Sequence, residues 1–435
     1  MARAELTTKV VAETEEAFAA DRNKSDNALL ENVRTVPTLR EAMCHMEGPF
    51  VERNVNWSKQ ELIANNAANA FETNSTYAQI FIEVVSLIRC SYHDRNLNDP
   101  EGLKHAVSAS TLLEGKQNSQ RLYLPWRFGI GPGAKPRGLI VAIPVRMGQR
   151  SLAAKIQSKL SCDPKIARVT TPNGFIDFPQ LVTLRILWPP ENTLLSFARA
   201  FIDAFDHAFG LQYARVICPP WFRDGDILPA ICTLATVCNL GLLIVERINV
   251  KNATGHDAPP IWNAIAQLTR MTGIPVLCLA TPGATLLGLS HLPGVSGDLT
   301  SLGPIEIRPC QKPSDKYWID VCTSLFDRTL RLAGIDTMPE WFPSAAAVLS
   351  RFYTACLSRA LTEIAVRLST FEVKHFNEKI FNQYGKPALV LDEPHLVAVD
   401  GIRNGVVYKV STLKRHADWL SFQELQRTHI AAEPA

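Results

Sequence analysis

The chain has 435 residues, enough for a large buried core and roughly two or three domains. Its 46% hydrophobic and 20% charged residues exclude a disordered or fibrous protein. A net charge of +3, from 45 Lys+Arg against 42 Asp+Glu, neither requires nor excludes nucleic acid, so any basic surface must be local.

The first segment, MARAELTTKVVAETEEAF, is charged and lacks an apolar signal core. The ten cysteines are scattered without a CxxC pair, mostly in apolar stretches, and read as reduced core thiols rather than a zinc site or a disulfide framework. YAQIFIEVVSLIR (77–89) has helical apolar spacing, and the polar cluster SYHDRNLNDP breaks it. GIGPGAKPRG (129–138) reads as a flexible lead-in to the strand LIVAI. Its glycines Gly129, Gly131 and Gly133 precede that strand, whereas a phosphate loop must follow it.

From residue 138 strands and helices alternate. A strand at 138–143 precedes a helix over SLAAKIQSKL. LVTLRIL (181–187) precedes LLSFARAFIDAFDHAFG, which Gly210 closes. The uncharged run 227–245, ILPAICTLATVCNLGLLIV, approaches membrane-span length, but Pro229, Asn239 and Gly241 divide it into a buried helix, a turn and the strand LLIV. IWNAIAQLTRMTG then precedes PVLCLA (275–280). This alternation predicts an α/β fold with a parallel sheet covered on both faces and no membrane span. After Pro309 the pattern turns helical, as a lid of about seventy residues. A short hairpin is expected across GIRNGVVYKV, where Asn404-Gly405 is a hairpin-type dipeptide.

IPVRMGQRSL (143–152) sits where a phosphate-binding loop would follow the first strand. Such a loop holds phosphate with backbone N–H groups, a lysine on the β/γ oxygens and a Ser/Thr on magnesium. Here Gly148 takes the place of the second loop glycine, Gln149 that of the lysine and Arg150 that of the hydroxyl, with Ser151 one place late. On its own the segment reads equally well as a plain strand–turn–helix. The partner strand would end in Asp-Glu, an aspartate for magnesium and a glutamate for the attacking water; LGLLIVERI offers Glu246 and Arg247. Thr281, after LCLA, stands where a polar residue would sense a γ-phosphate, or simply caps a strand end. ALVLDEPH (388–395) resembles the apolar-Asp-Glu strand more closely but lies about 240 residues beyond the loop, outside the alternating run, and reads as a decoy.

Together the segments resemble the TnsC/TniB family, the AAA+ regulators encoded by bacterial transposons. NLGLLIVERIN is similar to that family's LGLLVIDEIQ, and TGIPVLCLATPGA to its IGVPVMLIGTPKA. LVTLRILWPPENTLLSFARAFIDAFDHAFG resembles its second strand and long helix, and RFYTACLSRAL its lid helix. The resemblance spans roughly residues 76–385. It implies an AAA+ P-loop-type αβα sandwich with a parallel five-stranded sheet and a C-terminal helical lid. The division it suggests is an extension (1–75), a core (76–310), the lid (311–386) and a tail (387–435). Family members use ATP to assemble on target DNA and link target-selection proteins to the transposase.

The same alignment implies a degenerate site. The loop lysine, both Walker-B acids and an arginine finger after Thr281 are missing, and losing one finger alone can cost ~10³-fold in rate. The expectation is therefore a bacterial, cytoplasmic scaffold without ATP hydrolysis and without a resident metal, although the family resemblance leaves ATP and Mg open. Its expected partners are target DNA, a transposase, target selectors and further copies of itself or an active TnsC-type subunit. Lys155, Lys159, Lys165, Arg168, Thr170 and Thr171 are the candidate DNA contacts, with a second basic stretch at YKVSTLKRHADW (408–419). Two other readings stay open. One is an unconventional ATPase in which Arg146 or Arg150 replaces the lysine and Glu246 holds magnesium; the other is an AAA+-fold binding module outside transposition.

Overall fold

The computed structural model describes residues 27–51, 56–117, 130–172, 174–211, 224–301, 303–371 and 375–428. Gly129 and Cys218 lie outside the described residues. The chain divides into two compact units. One is the stretch ending at His45 with Ala78–Ala142 and Ala153–Ile305; the other is Met46–Tyr77, Ile143–Leu152 and the chain from Glu306 onward.

Among the described residues there are seven strands: β1 (Gly138–Ala142), β2 (Lys165–Thr171), β3 (Gly174–Gln180), β4 (Thr183–Leu187), β5 (Leu242–Ile248), β6 (Val276–Ala280) and β7 (Ile305–Glu306). The main sheet has the order β4-β5-β6-β1-β7, while β2 and β3 form a separate antiparallel pair. β4 pairs with β5, β5 with β6, and β6 with β1, all in parallel. Every residue of β1 and β6 is buried, as strands covered on both faces require, and this is why they read as continuous apolar runs.

Helices α1 (Lys59–Ala68), α2 (Ser75–Asp94), α3 (Gln149–Leu160), α4 (Leu194–Phe209), α5 (Asp224–Val237), α6 (Ala258–Thr272) and α7 (Pro282–Leu289) intervene in chain order. In α4 the apolar positions Phe197, Phe201, Ile202 and Phe205 recur at helical spacing and are buried. A Thr193–Ser196 capping box opens that helix, and Gly210, at φ +65°, closes it. The uncharged run at 227–245 resolves as α5, a turn at Asn239 with φ +43°, and β5. Among the described residues no helix is long and apolar enough to cross a membrane. The architecture is thus an α/β fold on a five-stranded sheet whose β4-β5-β6-β1 strands run parallel, followed in the chain by an α-helical C-terminal unit.

That C-terminal unit contains α8 (Lys316–Arg328), α9 (Phe342–Ser350), α10 (Thr354–Thr370), α11 (Glu378–Ala388), α12 (Glu393–Arg403) and α13 (Val410–His416). AAAVLSRFYTACLSRAL, continuous in pattern, breaks between α9 and α10, where Arg351 and Phe352 both take positive φ. Two sequence expectations are corrected, one in each unit. The Asn404-Gly405 dipeptide does not make a hairpin. Gly405, at φ +82°, ends α12 in a Schellman cap, its N–H bonding to the Ile402 carbonyl and that of Val406 to Gly401. Nor is GIGPG a free lead-in along its whole length: the Gly131 N–H donates to the Met271 carbonyl at 2.8 Å. Among the described cysteines Cys90 and Cys162 are exposed, so the expectation of core thiols holds for Cys232, Cys238, Cys278, Cys322 and Cys356.

Candidate functional site

The loop 143–148 leaves β1 and belongs to the second unit. Arg146 takes φ +67° and Gly148 φ +85°, a left-handed pair that reverses the chain before α3 begins at Gln149. The loop's polar groups are turned to its own neighbours. The Val145 N–H donates to the Asp418 carbonyl at 2.8 Å, and the Met147 N–H to Pro144 at 3.2 Å. The Arg146 carbonyl accepts from the Ala355 N–H at 2.9 Å, and the Met147 carbonyl from the Tyr77 hydroxyl at 3.1 Å. The Arg146 guanidinium donates to Asp392 Oδ1 at 3.0 and 3.2 Å. Arg150 is exposed on the first turn of α3, and Gln149 is half-buried.

A cavity of about 230 Å³ opens on Gly148 and Ser151, between Phe71, Tyr77, Tyr317 and Thr354. Among the described residues its lining carries one charged side chain, Glu72. Burial pushes the Tyr77 and Tyr317 phenols above their ordinary range, which keeps both as neutral donors. Tyr317 donates to the Glu72 carbonyl at 3.3 Å.

In the first unit Glu246 ends the straight part of β5 and is 3% exposed. Its Oε1 accepts from Arg185 Nε and Nη2 at 3.0 and 2.7 Å, across the β4–β5 ladder. Oε2 is buried without a hydrogen-bond partner. Arg247 follows at φ +60° in a register shift of the β5–β6 ladder, with an exposed side chain. Thr281 is 2% exposed; its hydroxyl accepts from the Ala284 N–H at 3.1 Å as the N-cap of α7.

These groups do not match the donor set of a magnesium–triphosphate. Two loop N–H groups are already bonded within the chain, Arg146 is held by Asp392, and Glu246 is spent on Arg185. Among the described residues there is no group of three or more His, Cys, Asp or Glu able to hold a metal ion.

The candidate DNA contacts are spread over two elements. Lys155 and Lys159 lie one turn apart on α3. Lys165, Arg168, Thr170 and Thr171 lie on β2, where strand alternation puts Lys165 and Thr171 on one face and Arg168 and Thr170 on the other. Arg168 is exposed but not bare. It makes a two-pronged contact with Asp177, at 2.7 and 2.9 Å, and its guanidinium lies 4.3 Å from the Phe175 ring centre. Lys165 Nζ reaches the Asn32 carbonyl at 3.5 Å, and the Thr171 hydroxyl donates to the Gly174 carbonyl at 3.2 Å. On the tail, Lys409, Lys414 and Arg415 are exposed while Leu413, His416 and Trp419 are buried.

Sequence reasoning missed three partners that decide what these residues can do: Arg185 for Glu246, Asp177 for Arg168 and Asp392 for Arg146. The ALVLDEPH segment is not a strand. It spans the end of α11, a turn and the start of α12, with Asp392 at the N-cap. Pro394 directly after Asp-Glu was the available signal, because proline favours the first turn of a helix.

No protein-family model matches the chain, and no curated protein matches it. Solved structures with similarity to it include the ORC2 protein of Aeropyrum pernix in its ADPNP–ADP complexes. That match has 13% identity over 77% of this chain and 84% of that one, with a TM-score of 0.40. The Walker-type ATPase PABY2304 of Pyrococcus abyssi is 10% identical over 74% and 87% of the two chains, with a TM-score of 0.38. PCH-2 of C. elegans is 12% identical over 78% and 74%, with a TM-score of 0.32.

Proposed function

We propose that this chain is a TnsC/TniB-like scaffold that joins target DNA to a transposase and its target selectors without hydrolysing ATP. The observation that carries the absence of turnover is the occupied loop: Arg146 on Asp392, and the Val145 and Met147 N–H groups on carbonyls. A triphosphate would have to displace each of these contacts without a lysine to replace them. The transposition role rests on the sequence resemblance over residues 76–385. The DNA role rests on the basic residues of α3 and β2, which would bind the phosphate backbone without sequence preference. Assembly with further copies, or with an active TnsC-type subunit, completes the reading.

A second reading, a protein-binding module outside transposition, is favoured by one feature. The β2–β3 pair presents Ile166 and Phe175, 63% and 62% exposed, beside an arginine already neutralised by Asp177. Fluorescence anisotropy with a labelled random duplex, over a range of salt and with and without Mg-ATP, separates the two. The scaffold reading expects salt-sensitive binding that is indifferent to Mg-ATP and weakened by a Lys165→Glu/Arg168→Glu double change. Affinity unchanged by that pair would move the DNA contact off the hairpin; no duplex binding at low salt would favour the protein-binding module.

A further inference from the structure

Asp392 sits between two arginines that come from different elements. Its Oδ1 accepts from Arg146 at 3.0 and 3.2 Å, and its Oδ2 accepts from Arg359 Nη1 at 2.9 Å. The carboxylate is 6% exposed, whereas the two guanidinium side chains are 34% and 40% exposed. Two cations converging on one buried anion, with both oxygens used, form the kind of cradle that proteins build for phosphate and carboxylate ligands. Here the anion is supplied by the chain. The charges do not balance: two guanidiniums surround one carboxylate, so removing it would leave a doubly positive pocket. The backbone closes the same loop from the same direction, since Ala355, on the helix that carries Arg359, donates to the Arg146 carbonyl.

We propose that Arg146 and Arg359 form a latent oxyanion site of the phosphate class, and that Asp392 fills it permanently. The built-in anion fixes the loop 143–148 to α10 and to the start of α12, so the second unit keeps its loop ordered with no nucleotide present. This rests on the proposed function in one respect only, that the loop is not an ATP site in the wild-type chain.

The test is thermal unfolding of the full chain in inorganic phosphate against chloride at matched ionic strength. Wild type should be indifferent to millimolar phosphate. Asp392→Ala should melt roughly 5–10 °C lower and recover part of that loss as phosphate saturates the emptied site. Adding Arg146→Gln to Asp392→Ala should abolish the recovery. An Asp392→Ala protein that folds yet ignores phosphate would overturn the proposal, as would a wild type that phosphate stabilises equally. Should Asp392→Ala not fold, Arg359→Gln serves instead. Its Val145 and Ala355 amides should exchange with solvent about tenfold faster or more, and unchanged protection would overturn the proposal. Mg-ATP turnover by the wild-type chain would count against the proposed function alone, and phosphate indifference of Asp392→Ala against the latent site alone.

Discussion

Glu246 shows how a residue in the right place can be committed to another task. It stands where an acid for magnesium is expected, yet it is buried with one oxygen on Arg185 and the other without a partner. Removing the arginine would leave a buried, uncompensated carboxylate. Arg185→Met should therefore lower unfolding free energy by about 3 kcal/mol in urea titrations, and Arg185→Met/Glu246→Leu should restore most of it. A pair no more stable than the single variant would mean that the ion pair is not what holds Glu246. His45 gives a pH test. Burial, then Arg34 and Lys159, push its imidazole down to about 4, partly opposed by Glu41. The unfolded chain binds the proton more readily, with a pKa of about 6.5. Stability from neutral His45 is thus complete above about pH 6.5 and drains away as pH falls toward 4. His45→Gln should flatten the melting profile in that window, and an unchanged slope would remove His45 as its source. At this scale the sequence named Gly148, Gln149, Glu246 and Thr281 but none of their partners. Arg185 lies 61 residues from Glu246 and Asp392 lies 246 from Arg146, separations that no local pattern reports.

At the scale of elements, legibility followed periodicity. β1, β5 and β6 were plain as apolar runs because both faces are buried, and α4 because its phenylalanines recur every fourth residue. The β2–β3 pair was read only as a basic stretch, although its signal was present: alternating KIARVTT and GFIDFPQ across the Asn173-Gly174 dipeptide. The same dipeptide type misled at Asn404-Gly405, where the preceding helix sets its use. Pairing in the hairpin also limits what the basic stretch can do. Asp177 pairs with the Arg168 guanidinium, which holds the Asp177 carboxyl below its ordinary range. If this hairpin faces DNA, Asp177→Asn should tighten duplex binding and steepen its dependence on log salt by roughly one unit. Equal slopes for the two proteins would place the hairpin away from the phosphate backbone. In the tail, His416 Nδ1 meets His395 Nδ1 at 2.9 Å, and the His395 ring stacks on Trp419 with centroids 5.0 Å apart. Burial holds both imidazoles below their ordinary range, so α12 and α13 are joined by a neutral pair. That join is complete above about pH 6.5 and weakens on acidification. Amides of α13 should lose exchange protection between pH 7 and 5, while His395→Gln should be less sensitive; identical profiles would argue that other groups govern this helix.

For the whole molecule, the α/β fold with its parallel sheet was legible because strand and helix alternation constrains topology strongly. The grouping of residues into units was not. The loop 143–152 leaves the sheet in sequence yet belongs with the C-terminal helices, through contacts to Tyr77, Ala355, Asp392 and Asp418 that only the folded chain brings together. The loop that follows β1 is held by internal bonds, as the proposed scaffold without ATP turnover requires. The most direct measurement is equilibrium titration of the full chain with labelled ATP and magnesium, followed by a turnover assay on the same preparation. A chain whose loop is closed by its own contacts should show no saturable binding into the millimolar range and no phosphate release above background. Saturable micromolar binding, with turnover that Glu246→Ala abolishes, would contradict it.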